Sequence, residues 1–285
     1  MVMRKFIVSD LHGDKVVYDS IMNFLENIAK EEEVELYING DLIDRGKYSY
    51  EVLCDCIERV NGEGPIKVNY LAGNHEFLMC EDLKYRFNRG FLPLRSNWIL
   101  NGGDIISKKL WTWPQDYLCN LYDFMMNLDV YHRFEEKING KNLLLVHAKA
   151  PKEVSDTPLK LGDSREEILP LLWNRSDIKG NSSYTTIIGH TPVQNNFGFS
   201  YDKGQNVFNI DGGSSYYEAG YKDMDHIPLV EVKNDSLVFL IFNHSNQITN
   251  GFLYKDYDYN DVDLDSYRVY LSGGGENSNV RFKGE

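Results

Sequence analysis

Six short runs of aliphatic or β-branched residues in this chain each stop at a small cluster of Gly, Asp, Asn and His. Phe6-Ile7-Val8 runs into Asp10-Leu11-His12-Gly13, and Leu36-Tyr37-Ile38 runs into Gly40-Asp41-Leu42-Ile43-Asp44-Arg45-Gly46. Val68-Asn69-Tyr70-Leu71 meets Gly73-Asn74-His75-Glu76, and Leu143-Leu144-Leu145-Val146 meets His147. Thr186-Ile187-Ile188 meets Gly189-His190-Thr191-Pro192, and Val207-Phe208-Asn209-Ile210 meets Asp211-Gly212-Gly213. Continuous apolar runs of this length suit strands buried on both faces. In layered α/β folds, ligands gather outside the carboxyl ends of such strands. The pattern therefore predicts an α/β chain with its chemistry collected along one edge of a sheet.

Helical spacing separates the early strands. Val17, Ile21, Phe24, Leu25 and Ile28 share one face, with Asp14 as N-cap. Val52, Leu53, Cys56, Ile57 and Val60 repeat the spacing, and Asn61-Gly62 supplies a stop. Strand and helix in alternation predict parallel pairing with right-handed crossovers. Residues 82–140 break that rhythm: Trp98, Trp111, Trp113, a Gly102-Gly103 break and a stripe of Leu118, Leu121, Met125 and Leu128 read as a helical insertion beside the site. Leu229–Val232 and Ser236–Phe242, joined by a polar turn, read as a hairpin. Without an internal repeat or a clean linker, residues 1–245 are expected to form one domain. Residues 246–285 then form a Tyr- and Asp-rich extension whose last dozen residues are expected to be loose.

The net charge of −13 disfavours nucleic acid or an anionic membrane as partner. It does not exclude phosphate chemistry, because bound cations reverse the local field. No run of ~18 apolar residues is present to span a bilayer. The apolar stretch near the start is only three residues long, so it reads as the first strand rather than a signal peptide. Cys54, Cys56, Cys80 and Cys119 include no CxxC pair and read as idle thiols of a cytoplasmic protein.

Two neighbouring dications need anionic oxygens, neutral imidazoles and a bridging carboxylate. The strand ends hold that inventory in Asp10, His12, Asp41, Asn74, His147 and His190. Asp10 and His12 are two apart, so in extended backbone both reach one ion. Asp41 is the expected bridge, and Asn74, His147 and His190 complete the second ion. Each piece alone is ordinary: Asp-x-His, a lone histidine or Gly-Asp occurs in many chains without binding a metal. Their combination is specific, since four of the seven histidines fall in these clusters while His132, His226 and His244 lie outside. His75 follows Asn74 and points away from its ion. With Asp44 beside it, it forms a general acid pair for a departing alkoxide. Arg45 and Arg175 are candidate clamps for phosphate oxygens.

These motifs, in this order, resemble the signature of the PPP metallophosphatases, the metal-dependent serine/threonine protein phosphatases. The likeness is nearest to the compact bacterial and bacteriophage members, to which Trp173-Asn174-Arg175 and Ile210-Asp211-Gly212-Gly213 are also similar. It covers roughly residues 5–215. The resemblance implies a calcineurin-like metallophosphoesterase fold, with two packed mixed β-sheets flanked by helices and the later strands building a second sheet on the first. It implies two divalent ions, manganese foremost and iron or zinc as alternatives, and in-line attack of an activated water without a phosphoenzyme. By the same likeness His75 and Asp44 protonate the leaving group, and Arg45 and Arg175 hold the phosphate. Two departures stand out. Ser9 replaces the usual first Gly, and Ala148-Lys149 follows His147 where eukaryotic members have Gly-Gly.

The expected activity is hydrolysis of phosphoserine and phosphothreonine in proteins, with phosphotyrosine and small phosphate esters as further substrates. The competing expectation is a nucleotide phosphohydrolase acting on diadenosine polyphosphate or a cyclic phosphodiester. That sister group carries Ala-Arg, Asn-His-Asp and Gly-His-Trp, where this chain has Asp44-Arg45, Glu76 and Thr191. A third reading, an inactive scaffold, would show degenerate ligand positions, and none is seen.

Overall fold

A computed structural model describes residues 3–90, 95–175, 179–255 and 258–261. The chain opens with three strands, β1 (Arg4–Val8), β2 (Val34–Asn39) and β3 (Ile66–Leu71), separated by helices α1 (Lys15–Ile28) and α2 (Ser49–Asn61). The strands pair in parallel, with Val8 opposite Ile38 and Asn39 opposite Leu71. Their carboxyl ends therefore fall on one edge. Asp14 caps α1 by accepting from Val17 N at 3.1 Å, and the Val17–Ile28 face is buried. Helix α2 stops at Gly62.

Helix α3 (Asn74–Arg89) follows, then a π-helical turn at Ile99–Gly103, α4 (Asp104–Leu110) and α5 (Gln115–Met126). The remaining elements are β4 (Tyr131–Ile138), β5 (Lys141–Val146), α6 (Arg165–Trp173), β6 (Tyr184–Ile188), β7 (Ser200–Asp202), β8 (Val207–Asn209), α7 (Ser214–Glu218), β9 (Ile227–Lys233), β10 (Ser236–Phe242), β11 (Ile248–Lys255) and β12 (Asp258–Asp261). One sheet runs β12-β11-β10-β9-β1-β2-β3 and the other β4-β5-β6-β8-β7. Both are mixed, and seven α-helices flank them among the described residues. None of these helices is long and apolar enough to cross a membrane.

Three details differ from the sequence reading. Residues 131–138, inside the stretch read as helical, form β4; a register shift between Arg133 and Lys137 places its buried residues Tyr131, Phe134 and Ile138 at spacings of three and four, which read as a helix. The β9–β10 hairpin turns as expected at Asn234-Asp235. It joins the first sheet antiparallel to β1, with Ile7 opposite Val230, while β4–β8 make the second sheet. Residues 248–255 add β11 to that hairpin. The terminal residues expected to be loose lie outside the described residues.

The layer between the sheets explains the uninterrupted apolar runs. Phe6 and Val8 pack toward the helices, whereas Ile7 joins Tyr37, Val230, Phe239 and Ile241 against Leu143, Leu145, Ile187 and Phe208 of the second sheet. Alternate residues face different apolar layers, so a period of two is invisible in hydropathy. Phe239 stacks on Phe199 with ring centroids 4.2 Å apart.

An ion contact outside the strand-end clusters ties the hairpin to α1. His244 Nε2 lies 2.6 Å from Asp14 Oδ2 and Nδ1 lies 2.6 Å from Asp225 Oδ1. The Asp14 contact lies off the hydrogen-bond axis, since His244 Nε2 has no partner in line. Burial disfavours the charged ring, yet the two carboxylates outweigh it and hold His244 above the usual imidazole value. A raised folded value stabilises fully below the unfolded value of ~6.5, and that contribution disappears as pH rises through the folded value. Between about pH 6 and about pH 9, the melting temperature should therefore fall a few degrees further in the wild type than in His244→Gln. Parallel melting curves would show that the contact contributes nothing.

Candidate active site

Parallel register decides where the polar clusters meet. Leu145 lies opposite Ile187, and Ile188 opposite Asn209. His147, His190 and Asp211 each follow these residues by two, just as Asp10 follows Val8. The carboxyl edges of the two sheets join there: His190 N donates to both Asp10 oxygens at 3.1 Å, and Gly189 N to His147 O at 2.8 Å.

The chain turns at this edge through left-handed backbone. Asp10, His12, Asp41, Asp44, Arg45 and His190 all have φ between 47° and 73°. Such a conformation is uncommon for residues with a Cβ, and each instance costs about 1–3 kcal/mol. Glycines make the close approaches. A Cβ on Gly40 would lie 2.4 Å from Gly73 N, and one on Gly73 would lie 2.3 Å from Asp41 Oδ1.

Asp41 is the centre. Its Oδ2 lies 3.7 Å from His12 Nε2, 3.9 Å from His75 Nε2 and 3.4 Å from His147 Nε2. Two donor groups share it, His12-Asp41-His75 and Asp41-His147-His190, each with all atoms within 4.8 Å of one another. His12 Nδ1–H donates to Ile43 O and His147 Nδ1–H to Asn39 O, both at 2.9 Å. Those bonds fix the tautomers and aim both Nε2 atoms inward. Asn74 Oδ1 accepts from His190 Nδ1 at 2.8 Å and lies 3.2 Å from His147 Nε2. Arg175 Nε donates to His190 Nε2 at 3.1 Å.

The ten residues singled out in the sequence thus converge, in an arrangement that differs in part from the expectation. Asp10 stands beside both donor groups but within neither, and it accepts from Ser9 Oγ and His190 N. His75 is the third member of the first group. His75 Nδ1–H donates to Asp44 Oδ2 at 2.7 Å. Arg45 reaches across the group, from Nη1 to His12 Nε2 at 2.8 Å and from Nη2 to His75 Nε2 at 3.0 Å. A cleft of about 540 Å³ opens beside it, lined by Lys47, Leu100, Asn101, Ser215 and Tyr216.

Three residues with no role in the sequence reading also matter. Glu76 is fully buried, and its carboxylate accepts from Asp41 N at 2.9 Å, Leu42 N at 3.2 Å, Gly73 N at 2.8 Å and Tyr70 OH at 2.6 Å. It clamps the turn that presents Asp41 to the first turn of α3. The signal was its place three residues after Gly73, where a capping-box Glu reaches back. Asp211 is buried near Asp10 and Asp41, and burial pushes its carboxyl up to about 7. Trp98 donates to Asp44, and nothing local in sequence announces that contact.

The electrostatics suit cations. Burial, then Asp211, raises Asp10. Burial also acts to raise Asp41, but His147 and His75 outweigh it and hold Asp41 well below the carboxylate range. Burial lowers His147, yet Asp41 and Asp10 lift it to about 10. Burial, Arg45 and His75 lower His12, whereas burial, His147 and Arg175 lower His190 to about 3. Desolvated carboxylates crowded among converging imidazoles form a donor set that divalent cations neutralise.

A two-sheet α/β fold with paired donor groups sharing one carboxylate defines a metal-dependent hydrolase type of centre. The calcineurin-like phosphoesterase family matches residues 3–227, and the chain belongs to that family. Membership implies a phosphatase-like hydrolase that uses divalent metals, and the His/Asp groups fit such a site. It agrees with the PPP-like motifs.

Similar solved structures include the cold-active protein-tyrosine phosphatase of a psychrophile, Shewanella sp., at 13% identity over 87% of this chain and 80% of that one, TM-score 0.54. Another is a protein serine/threonine phosphatase from Saccharomyces cerevisiae with similarity to human phosphatase PP5, at 14% identity over 85% and 80%, TM-score 0.52. At such identity the likeness concerns the fold. A sequence comparison with curated proteins finds no match.

Glu76→Gln tests the clamp. The amide accepts fewer of the four donors, so Mn²⁺ affinity measured by calorimetry should fall roughly 10–100-fold with circular dichroism unchanged. Wild-type affinity would remove Glu76 from the account of the site.

Proposed function

We propose that this chain is a two-metal phosphomonoesterase acting on phosphoserine and phosphothreonine in proteins, with phosphotyrosine and small aryl phosphates as further substrates. The observation that carries the reading is the position of Asp41 between two histidine groups, with the Asp44–His75 pair and Arg45 beside it. Asp10, His12 and Asp41 would hold one ion; Asp41, Asn74, His147 and His190 would hold the other. The mixed nitrogen and oxygen donors suit manganese first, with iron or zinc as alternatives. Two such ions supply charge neutralisation and a water acidic enough to attack phosphorus at neutral pH.

The side chains account for the rest. Asp41 and Asp44 outweigh the effect of burial on His75 and hold it above the usual imidazole value, so the ring can carry a proton to the departing oxygen. Asp44 keeps the ring oriented through Nδ1. Arg45 stands 3.0 Å in front of His75 Nε2, so its guanidinium must exchange the two ring nitrogens for phosphate oxygens before that proton can be delivered. Arg175 would hold the phosphate from the other side. The open cleft beside Arg45 has room for a side chain with flanking peptide. The same reading takes residues 1–245 as one metallophosphatase domain. Four unpaired cysteines fit a reducing compartment such as the cytoplasm.

The test is a Mn²⁺-dependent activity panel of phosphoserine peptide, phosphotyrosine peptide, diadenosine tetraphosphate and a cyclic nucleotide. Turnover of the phosphopeptides supports the reading, whereas cleavage of the dinucleotide alone ends it. Asp41→Asn should remove most activity and reduce bound metal, because the shared ligand loses its charge; full occupancy with normal rates would count against bridging. His75→Asn should keep the metal yet slow an alkyl ester roughly a hundredfold, and an activated aryl ester far less. Equal losses on both would remove the proton-donor role.

A further inference from the structure

Asp44 has no exposed surface. A buried carboxylate needs donors for both oxygens, and the torsion that sets its plane is soft. His75 Nδ1–H supplies one donor, to Oδ2. The other comes from 54 residues along the chain: Trp98 Nε1–H lies 2.8 Å from Oδ2 and 3.0 Å from Oδ1. Among the described residues, Trp98 is the one donor that reaches Oδ1. An indole nitrogen only donates, so it cannot exchange roles with the acid it serves, and its bond to a carboxylate is charge-assisted.

The indole has no freedom to drift. Trp98 is fully buried, and a Cβ on Gly103 would lie 2.3 Å from its Nε1. The same turn holds the next residue of the acid loop. Arg45 N donates to Gly102 O at 3.0 Å, and a Cβ on Gly102 would lie 2.7 Å from Arg45 Cγ. Gly102 has φ 102°, inside a π-helical turn of five residues, a local geometry frequent at functional sites.

We infer that Trp98 is a positioning residue for the hydrolysis: by spanning both oxygens of Asp44 it fixes the carboxylate plane and, through it, the direction of the His75 ring toward the leaving oxygen. The inference rests on the proposed acid role of His75 and Asp44. A tryptophan that only filled the core would affect stability and would slow every ester alike.

The experiment compares kcat and KM for a phosphoserine peptide and for p-nitrophenyl phosphate. The proteins are the wild type, Trp98→Phe, Trp98→benzothienylalanine, Asp44→Asn and Asp44→Asn combined with Trp98→Phe. The benzothienyl ring keeps the indole shape and replaces N–H by sulfur, so it carries the test if Trp98→Phe does not fold. Removing the N–H should lower kcat on the peptide roughly tenfold, leave the aryl ester within about twofold and leave both KM values unchanged. The double variant should be no slower than Asp44→Asn alone, since both act on one group. Equal losses on the two esters, or additive losses in the double variant, would overturn the inference. If Asp44→Asn itself treats the two esters alike, the acid pair fails and Trp98 with it. A split in Asp44→Asn without one at position 98 refutes the Trp98 role alone.

Discussion

Carboxylates held close together away from water repel one another unless something positive joins them. The shared edge of the two sheets buries Asp10, Asp41, Asp44, Glu76 and Asp211 together. Most of the remaining architecture can be read as an answer to that repulsion. Backbone amides at His190 and His75 donate to Asp10 and Asp41, and four donors surround Glu76. Imidazoles of His12, His75 and His147 converge on Asp41 Oδ2. The unbalanced charge that remains is what divalent cations neutralise in a calcineurin-like phosphoesterase.

Holding these groups in place strains the backbone. Six site residues adopt left-handed conformations, and the surrounding structure must outweigh each one. Two buried layers do so: the helices on one side of the first sheet and the aromatic contact between sheets on the other. Glycine lets the turns touch, since Gly40 and Gly73 leave no room for a side chain between neighbouring strands. The floor of the centre is therefore closely packed, and Lys47 and Tyr216 line the open cleft beside Arg45.

The segment between α3 and β4 is part of that support. Trp98, Gly102 and Gly103 form the wall against which Asp44 and Arg45 are placed. Trp111 and Tyr117 remain exposed on its outer side. The insertion thus contributes to the site through contacts with the residues that would deliver the proton and hold the phosphate.

Sequence alone determined the strand-end pattern, the ten candidate residues and the α/β character, because each rests on local chemistry: apolar runs buried on both faces, Gly where backbones cross, and His, Asp and Asn at turns; the two-sheet class followed from the likeness to the PPP metallophosphatases. It left β4 hidden, since a register shift between Arg133 and Lys137 puts its buried residues at helical spacing, and it could not assign β9 and β10 to the first sheet, because an apolar strand carries no mark of its neighbour. Tertiary structure alone decided that Asp41 lies between the two histidine groups, that His75 stands with His12 in the first of them, and that Trp98 reaches Asp44. Those relations join residues from 29 positions apart, His12 and Asp41, to 149, Asp41 and His190, and register across sheets, rather than spacing along the chain, sets such distances.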